Sequence, residues 1–360
     1  MKTYFFTGFP GFIAKELVKE IALSPSDEQK TFYFLVLESQ FEAAQKTISD
    51  LKQITFDHVH YEVITGDITT PSLFKEKQEL HHIDYVFHLA AIYDLAVPFE
   101  TAYLVNVLGT KHVNEWVKSL SDLKRYVYFS TAYVSGKREG IIYESELDKN
   151  QEFKNHYEST KFEAELLVND LKDTVPTTII RPGIVRGNSE TGATTKFDGP
   201  YFILNMFDRL SFLPVIPYLG SGEADGNFVP VDYVIKATAY LSHAEIGEGK
   251  TYHLTDPAPL PMKEIYRMLM VEYLGRRPLG KVPLRPVTYF LTFRKLRQWV
   301  GVEKEALAYL VCKAQYDTTQ ASEDLSSSGI EIPPFNETLR PMVSYYKDHK
   351  TDPEKKFVIM

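Results

Sequence analysis

The chain has 360 residues, enough for about two domains at roughly 150 residues each, and 44% hydrophobic with 24% charged residues excludes disordered and collagenous classes. A net charge of −8 argues against a general nucleic-acid binder, and the one cysteine, Cys312, excludes an internal disulfide and points to a reducing, cytoplasmic setting. The longest run without Asp, Glu, Lys or Arg, Leu210 to Gly222, is broken by Pro214 and Pro217 and falls short of the roughly 20 residues a membrane span needs.

Thr3 to Thr7 reads as a β-strand, rich in aromatic and β-branched residues. The turn GFPGFIA follows, then a helix with Ile13, Leu17, Ile21 and Leu23 on its apolar side. Gly8, Pro10 and Gly11 break the apolar run after Lys2, so no signal peptide is expected. Further strands are predicted at Phe32–Leu37, Val59–Ile64, Tyr85–Leu89, Tyr126–Ser130 and Thr177–Ile180, nearly all separated by helix-length segments. Strands apolar on both faces and alternating with helices indicate an α/β fold with a doubly wound parallel sheet. After Arg181 comes the polar, Gly-rich stretch Gly187 to Gly199, and FVPVDYVIKATAYL with TYHLT then restore a helix and a strand. The expected division is residues 1–185 with 227–255 as a Rossmann-type nucleotide-binding domain, and 186–226 with 256–360 as a smaller, mainly helical substrate lobe.

Gly8, Gly11 and Ala14 form G-x-x-G-x-x-A between strand and helix, where small residues let backbone approach a pyrophosphate on the helix N-terminus. Asp67 in TGDI is placed to accept from an adenine amino group or to cap the next helix. Glu38, at the end of the second strand, is placed to bond both ribose hydroxyls and repel a 2′-phosphate, which favours NAD over NADP. Tyr-x-x-x-Lys puts a phenol and an ammonium one helical turn apart, and the cation favours phenolate. Four such pairs occur, at Tyr133/Lys137, Tyr157/Lys161, Tyr309/Lys313 and Tyr346/Lys350. Only Tyr157 opens a helix with a consistent inner stripe, Lys161, Ala164, Val168 and Leu171, and only it follows a strand ending in the hydroxyls Ser130 and Thr131.

TGFPGFIA, GDI, HLAA, NVLGTKH, FSTAYVSG, YESTK, RPG and FVPVDYV, in this order, resemble the successive motifs of the extended short-chain dehydrogenase/reductase superfamily over residues 1 to about 255. Within it, TGFPGFIA, STAYVSG and RPGIVRGNSETG are most similar to the branch of male-sterility-type fatty acyl reductases and thioester reductase domains. The resemblance implies an oxidoreductase with a nicotinamide cofactor, NAD or NADP, and no metal. It implies that Tyr157 acts as general acid or base, that Lys161 binds the nicotinamide ribose, and that Thr131, with Ser130 as the alternative, meets the substrate oxygen. Asn106 would organise a proton-relay water or else cap a helix. Gly8, Phe9, Pro10, Gly11, Phe12, Ile13, Glu38, Asp67, Ile68, Leu89, Ala90 and Ala91 would contact the cofactor, with Pro182, Gly183 and Ile184 at its carboxamide.

The expected reaction moves hydride between the nicotinamide and a carbonyl or alcohol carbon of an apolar substrate: an acyl thioester carried on coenzyme A or a carrier, an aldehyde, or a sterol-like molecule. A nucleotide-sugar epimerase or dehydratase, and a non-catalytic cofactor-binding protein, are the alternatives. From Tyr273 to Val302 the chain has no acidic residue but has Arg276, Arg277, Lys281, Arg285, Arg294, Lys295 and Arg297, interleaved with Tyr289, Phe290, Phe293 and Trp299. Residues 276–297 are thus a candidate contact for substrate phosphates or an anionic membrane, or a solvated basic face.

Overall fold

The structure is a computed structural model that describes residues 1–25, 28–76, 80 and 82–356. All seven predicted strands are present: β1 Lys2–Thr7, β2 Lys30–Val36, β3 Val59–Thr65, β4 Tyr85–His88, β5 Arg125–Phe129, β6 Thr177–Pro182 and β7 Thr251–Leu254. They form one parallel sheet in the order β3-β2-β1-β4-β5-β6-β7. The helices around it are α1 Phe12–Leu23, α2 Phe41–Lys52, α3 Gly109–Lys118 and α4 His156–Asn169. Farther along come α5 Tyr201–Arg209, α6 Val231–His243, α7 Met262–Leu274, α8 Leu284–Phe290, α9 Arg294–Val300, α10 Thr319–Leu325 and α11 Phe335–His349.

The double-sided apolar reading holds for β1 residue by residue, whereas the edge strand β3 leaves His60 and Glu62 exposed. In β1, Tyr4 and Phe6 enter a core with Phe32 and Phe34 of β2 and with Leu17 and Val18 of α1. Phe5, pointing the other way as strand periodicity requires, enters a second core with Leu35, Val86, Val113 and Val168. Burying each such Phe contributes about 1.5–3 kcal/mol, so both faces demand a helical cover. Because β1 and β4 are neighbours while the chain between them visits β2 and β3, a crevice opens past their C-terminal ends, where ligands bind in this topology.

The second lobe has its own core, with Phe207 of α5, Ile265 and Leu269 of α7 and Met342 of α11 fully buried. Ile184–Arg186 and Phe228–Pro230 pair as a short parallel ribbon where the chain passes between the two cores. The division placing all of 256–360 in this lobe needs correction. Ala314–Tyr316 pairs with Gly140–Ile142, and α10 packs Ala321 and Leu325 into the first core. Polar anchors explain the return: the Asp324 carboxylate accepts from Lys250 and from the Tyr252 hydroxyl at 2.6 Å each, and Glu144 accepts from the backbone N–H groups of Gln320 and Ala321.

Candidate active site

The turn after β1 explains its glycines. Gly8 has φ +86°, and a Cβ there would lie 2.7 Å from the Ala90 nitrogen and 2.8 Å from the Leu89 carbonyl carbon. The loops after β1 and β4 therefore touch, pinned further by the Ala90 N–H donating to the Thr7 hydroxyl at 3.1 Å. Gly11 stands at the start of α1 with no side-chain cap, which leaves the first-turn N–H groups facing the crevice. Pro10, Phe12 and Ile13 form one wall of that crevice, Asp67 and Ile68 a second, and Leu89, Ala90 and Ala91 a third. Asp67 caps a turn rather than the expected helix, its Oδ1 accepting from the Thr69 N–H and hydroxyl at 2.8 Å each. The glycine cradle and open helix N-terminus fit the diphosphate of a dinucleotide. The cavity measures about 1140 Å³ and continues into the second lobe, more than the roughly 300–1,000 Å³ of a single-ligand site.

Two expected cofactor contacts do not face this cavity. Phe9 is 1% exposed and stacks on Phe34 with ring centroids 3.9 Å apart, so it is core. Glu38 opens a short 3-10 turn after β2 and points to solvent, where its carboxylate pairs with Lys75 at 2.8 Å. Leu37 and Gln40 line the cavity at this end. The charge argument for NAD therefore rests on an exposed carboxylate that already has a cation.

At the other end, Thr131, Tyr157 and Lys161 line the cavity together with Pro182, Gly183 and Ile184. Thr131 is extended at the end of β5 and caps the short helix Ala132–Ser135. Tyr157 lies in the first turn of α4, where the Asn155 side chain accepts from the Glu158 N–H at 2.9 Å. The inner stripe is as predicted: Lys161, Ala164, Val168 and Leu171 are all buried. Their electrostatics differ from the expectation of a lowered phenol. Burial and then the neighbouring Glu158 carboxylate push Tyr157 up, against a hydrogen bond with Thr131 that pulls it down. Burial brings the Lys161 ammonium down to about 7, opposed by Glu165. The ammonium donates to the Phe129 carbonyl at 2.6 Å and the Tyr128 hydroxyl at 2.8 Å. Burial thus dominates at both groups, and the Lys161 ammonium spends its bonds on Phe129 and Tyr128 rather than on the Tyr157 phenol.

Asn106 is 1% exposed and not part of the cavity wall. It sits in a π-helical turn, Tyr103–Leu108, rather than at a helix start. Its amide accepts from the Ile92 N–H at 2.8 Å and donates to the Ile92 carbonyl and, at 3.0 Å, to Thr160 of α4. These bonds make it an anchor between the β4 loop and the tyrosine helix.

Two wall residues, Tyr93 and Asp198, carry no sequence signal of their own. Ser130 gives its proton to Glu165, which also forms a buried two-pronged pair with Arg181, so of the two hydroxyls at this strand end Thr131 is the one bonded to Tyr157. Tyr93 packs edge-on against Tyr157 with centroids 5.1 Å apart. Asp198, from the Gly-rich stretch after the RPG segment, lines the cavity, and burial raises its carboxyl to about 6. Tyr309 reaches the cavity from the second lobe.

Residues 6–238 match the model of the NAD-binding male sterility protein family. The chain is 27% identical over 345 residues to an alcohol-forming fatty acyl-CoA reductase of Simmondsia chinensis, covering 73% of this chain and 68% of that protein. It is 26% identical over 303 residues to the non-canonical nonribosomal peptide synthetase cpsA of Aspergillus campestris, covering 78% of this chain but 28% of that much longer protein. In fold it is similar to the terminal R domain of the myxalamid biosynthetic pathway, with a TM-score of 0.82 and 24% identity over 99% of this chain and 92% of that one. The strand order agrees with that family match, and the chain belongs to the male sterility protein family, an NAD(P)-binding branch of the extended short-chain dehydrogenase/reductase superfamily.

Proposed function

We propose that the protein is an NAD(P)H-dependent reductase of an apolar acyl substrate, carried as a coenzyme A or carrier thioester or released as the aldehyde. The observation that carries the reading is the continuity of one cavity. Thr131 and Tyr157 stand where the dinucleotide crevice passes into a chamber walled by Phe202, Ile203, Met206 and Leu291. Reduced nicotinamide supplies a hydride to the carbonyl carbon when bound. Tyr157 gives its proton to the carbonyl oxygen, Thr131 bonds that oxygen, and Lys161 holds the nicotinamide ribose. The backbone of Pro182, Gly183 and Ile184 would meet the carboxamide, and Gly8, Pro10, Gly11, Phe12 and Ile13 would meet the diphosphate. Asn106 acts by orienting α4 through Thr160. Cys312 is a free thiol, which suits a reducing cytoplasm. Among the described residues no helix is long and apolar enough to cross a membrane. The 276–297 rim would serve as a peripheral contact where such substrates are held.

The test is oxidation of NADH and NADPH in the presence of medium- and long-chain acyl-CoA thioesters and aldehydes, with the product identified by mass spectrometry. Stoichiometric cofactor consumption with formation of aldehyde or alcohol is expected. Conversion of a nucleotide sugar with no net consumption of cofactor would replace this reading with the epimerase one.

A further inference from the structure

The basic window noted in the sequence folds into the mouth of the substrate chamber. Val287, Leu291, Leu296 and Val300 of the α8–α9 hairpin face the cavity. The same hairpin exposes Tyr289 at 64%, Phe290 at 56% and Phe293 at 54%. Tyr289 packs edge-on against both Phe290 and Phe293, at 6.2 and 5.8 Å, so the three rings form one exposed patch. Phe290 belongs to the patch and also to the cavity wall, which locates the patch at the rim. The Arg276 guanidinium donates to the carbonyls of Leu213, at 2.6 Å, and Ser211, at 3.0 Å, and so fastens the loop that holds Phe212, itself 70% exposed. In the same stretch of chain Arg277, Lys281, Arg285, Arg294 and Lys295 are all exposed, and none forms an ion pair with a described residue.

We propose that this rim docks the protein on an anionic lipid bilayer, with Tyr289, Phe290, Phe293 and Phe212 entering the headgroup layer and the basic residues meeting lipid phosphates. Two features favour a lipid surface over an acidic protein partner. These cations pair with no described carboxylate in a chain whose net charge is −8, so attraction is local to this face. The rings at its centre stand in solvent as an apolar cluster flanked by cations, the arrangement that suits an interface with one apolar and one charged side. Docked in this way, the chamber opens toward the acyl chains, so an apolar substrate enters without crossing water. The purpose of the docking rests on the acyl-substrate reading, while the geometry does not.

Cosedimentation of the full chain with phosphatidylcholine vesicles, with and without phosphatidylserine, tests it. Binding to the anionic vesicles is expected, falling at least ~10-fold as salt shortens the Debye length from about 10 Å at 0.1 M to about 3 Å at 1 M. R294E/K295E should weaken binding at least ~10-fold, as should Tyr289→Ser with Phe293→Ser, while turnover of a short soluble aldehyde stays unchanged and shows that the variants are folded. Absence of vesicle binding, equal binding to neutral vesicles, or indifference to the charge reversal overturns the proposal. So does reversal-sensitive binding to an acidic carrier protein without binding to vesicles, which would make the rim a protein-docking surface. Vesicle binding in a protein that reduces no acyl substrate would overturn the proposed function and leave the docking intact.

Discussion

The Tyr309 hydroxyl donates to the Glu158 carboxylate at 2.8 Å, joining the second lobe to the helix turn that carries Tyr157. The same hydroxyl accepts from Asn155, the residue capping that helix, at 3.0 Å. Glu158 is fully buried and is otherwise held by Lys154. Tyr309→Phe removes one bond to a charged group, so a stability loss of about 1.5–3 kcal/mol is expected, read as a lowered Tm. It also loosens the first turn of α4, so kcat should fall several-fold with cofactor affinity retained. Unchanged kcat at a temperature where the variant is folded would show that the tyrosine turn does not depend on the lobe.

Of the four Tyr-x-x-x-Lys pairs, the structure brings Tyr157 and Lys161 to the crevice, with Thr131 and the 182–184 segment. Tyr133 also lines the cavity, whereas Lys137 is exposed and pairs with Glu152. Tyr157→Phe should lower kcat at least ~10²-fold, the scale of lost general acid catalysis, with little change in cofactor affinity. Loss of turnover in Tyr133→Phe but not in Tyr157→Phe would transfer the acid role to the other phenol.

Lys161 offers a pH test with a defined sign. Its ammonium sits at about 7 in the folded protein because it is buried, below the 10.5 of an ordinary lysine. Between those two values the unfolded chain binds a proton that the folded chain lacks, so this group makes stability rise with pH across that window. The cation that would bond the ribose is lost over the lower part of the same range. Cofactor affinity of the ligand-free enzyme should therefore decline as pH rises through about 7, and the decline should vanish in Lys161→Met. A calorimetric titration series from acid to alkaline pH gives the slope, and a slope that survives the substitution assigns it to another group.

Six of the seven strands were legible because each is a short apolar run with β-branched or aromatic residues, whereas the edge strand β3 leaves His60 and Glu62 exposed and shows only through Val59, Val63 and Ile64. The glycine cradle and the Tyr157 stripe were legible for a similar reason, since local spacing alone places them. Motif position did not reveal side-chain direction. Phe9 stands between two cradle residues yet turns into the core, and Glu38 stands one residue past Leu37 yet faces solvent. Long-range pairing was equally hidden. The return of 314–325 to the first core depends on Glu144 and Asp324 meeting partners far away in sequence, and Tyr309 meets Glu158 across 151 residues.

Gly8 provides a test of the cofactor crevice. At φ +86° an alanine is strained, and its Cβ would be driven into the backbone of Leu89 and Ala90, which cannot yield as a flexible side chain can. Gly8→Ala should separate the β1 and β4 loops, weaken NAD(H) and NADP(H) binding at least ~10-fold and destabilise the chain by more than about 1 kcal/mol. Calorimetry and thermal melting read the two effects separately. Wild-type affinity for either cofactor would mean that the dinucleotide does not lie on this turn.

The Glu38–Lys75 pair offers a test of cofactor choice. The two side chains are 75% and 57% exposed, so their attraction is modest and screened by salt. With Glu38 present, a 2′-phosphate arriving beside Leu37 and Gln40 meets a cation that is already occupied and a carboxylate that repels it. Native protein should therefore bind NAD(H) at least as tightly as NADP(H). Glu38→Ala frees Lys75 and should shift the ratio several-fold toward NADP(H), whereas the double variant Glu38→Ala with Lys75→Ala should lose that shift. Low salt should enlarge the effect, because both charges stand in solvent. Titration of both cofactors into the three proteins decides it: a clear NADP(H) preference in the native chain, or an NADP(H) gain that persists without Lys75, would remove the pair from cofactor selection.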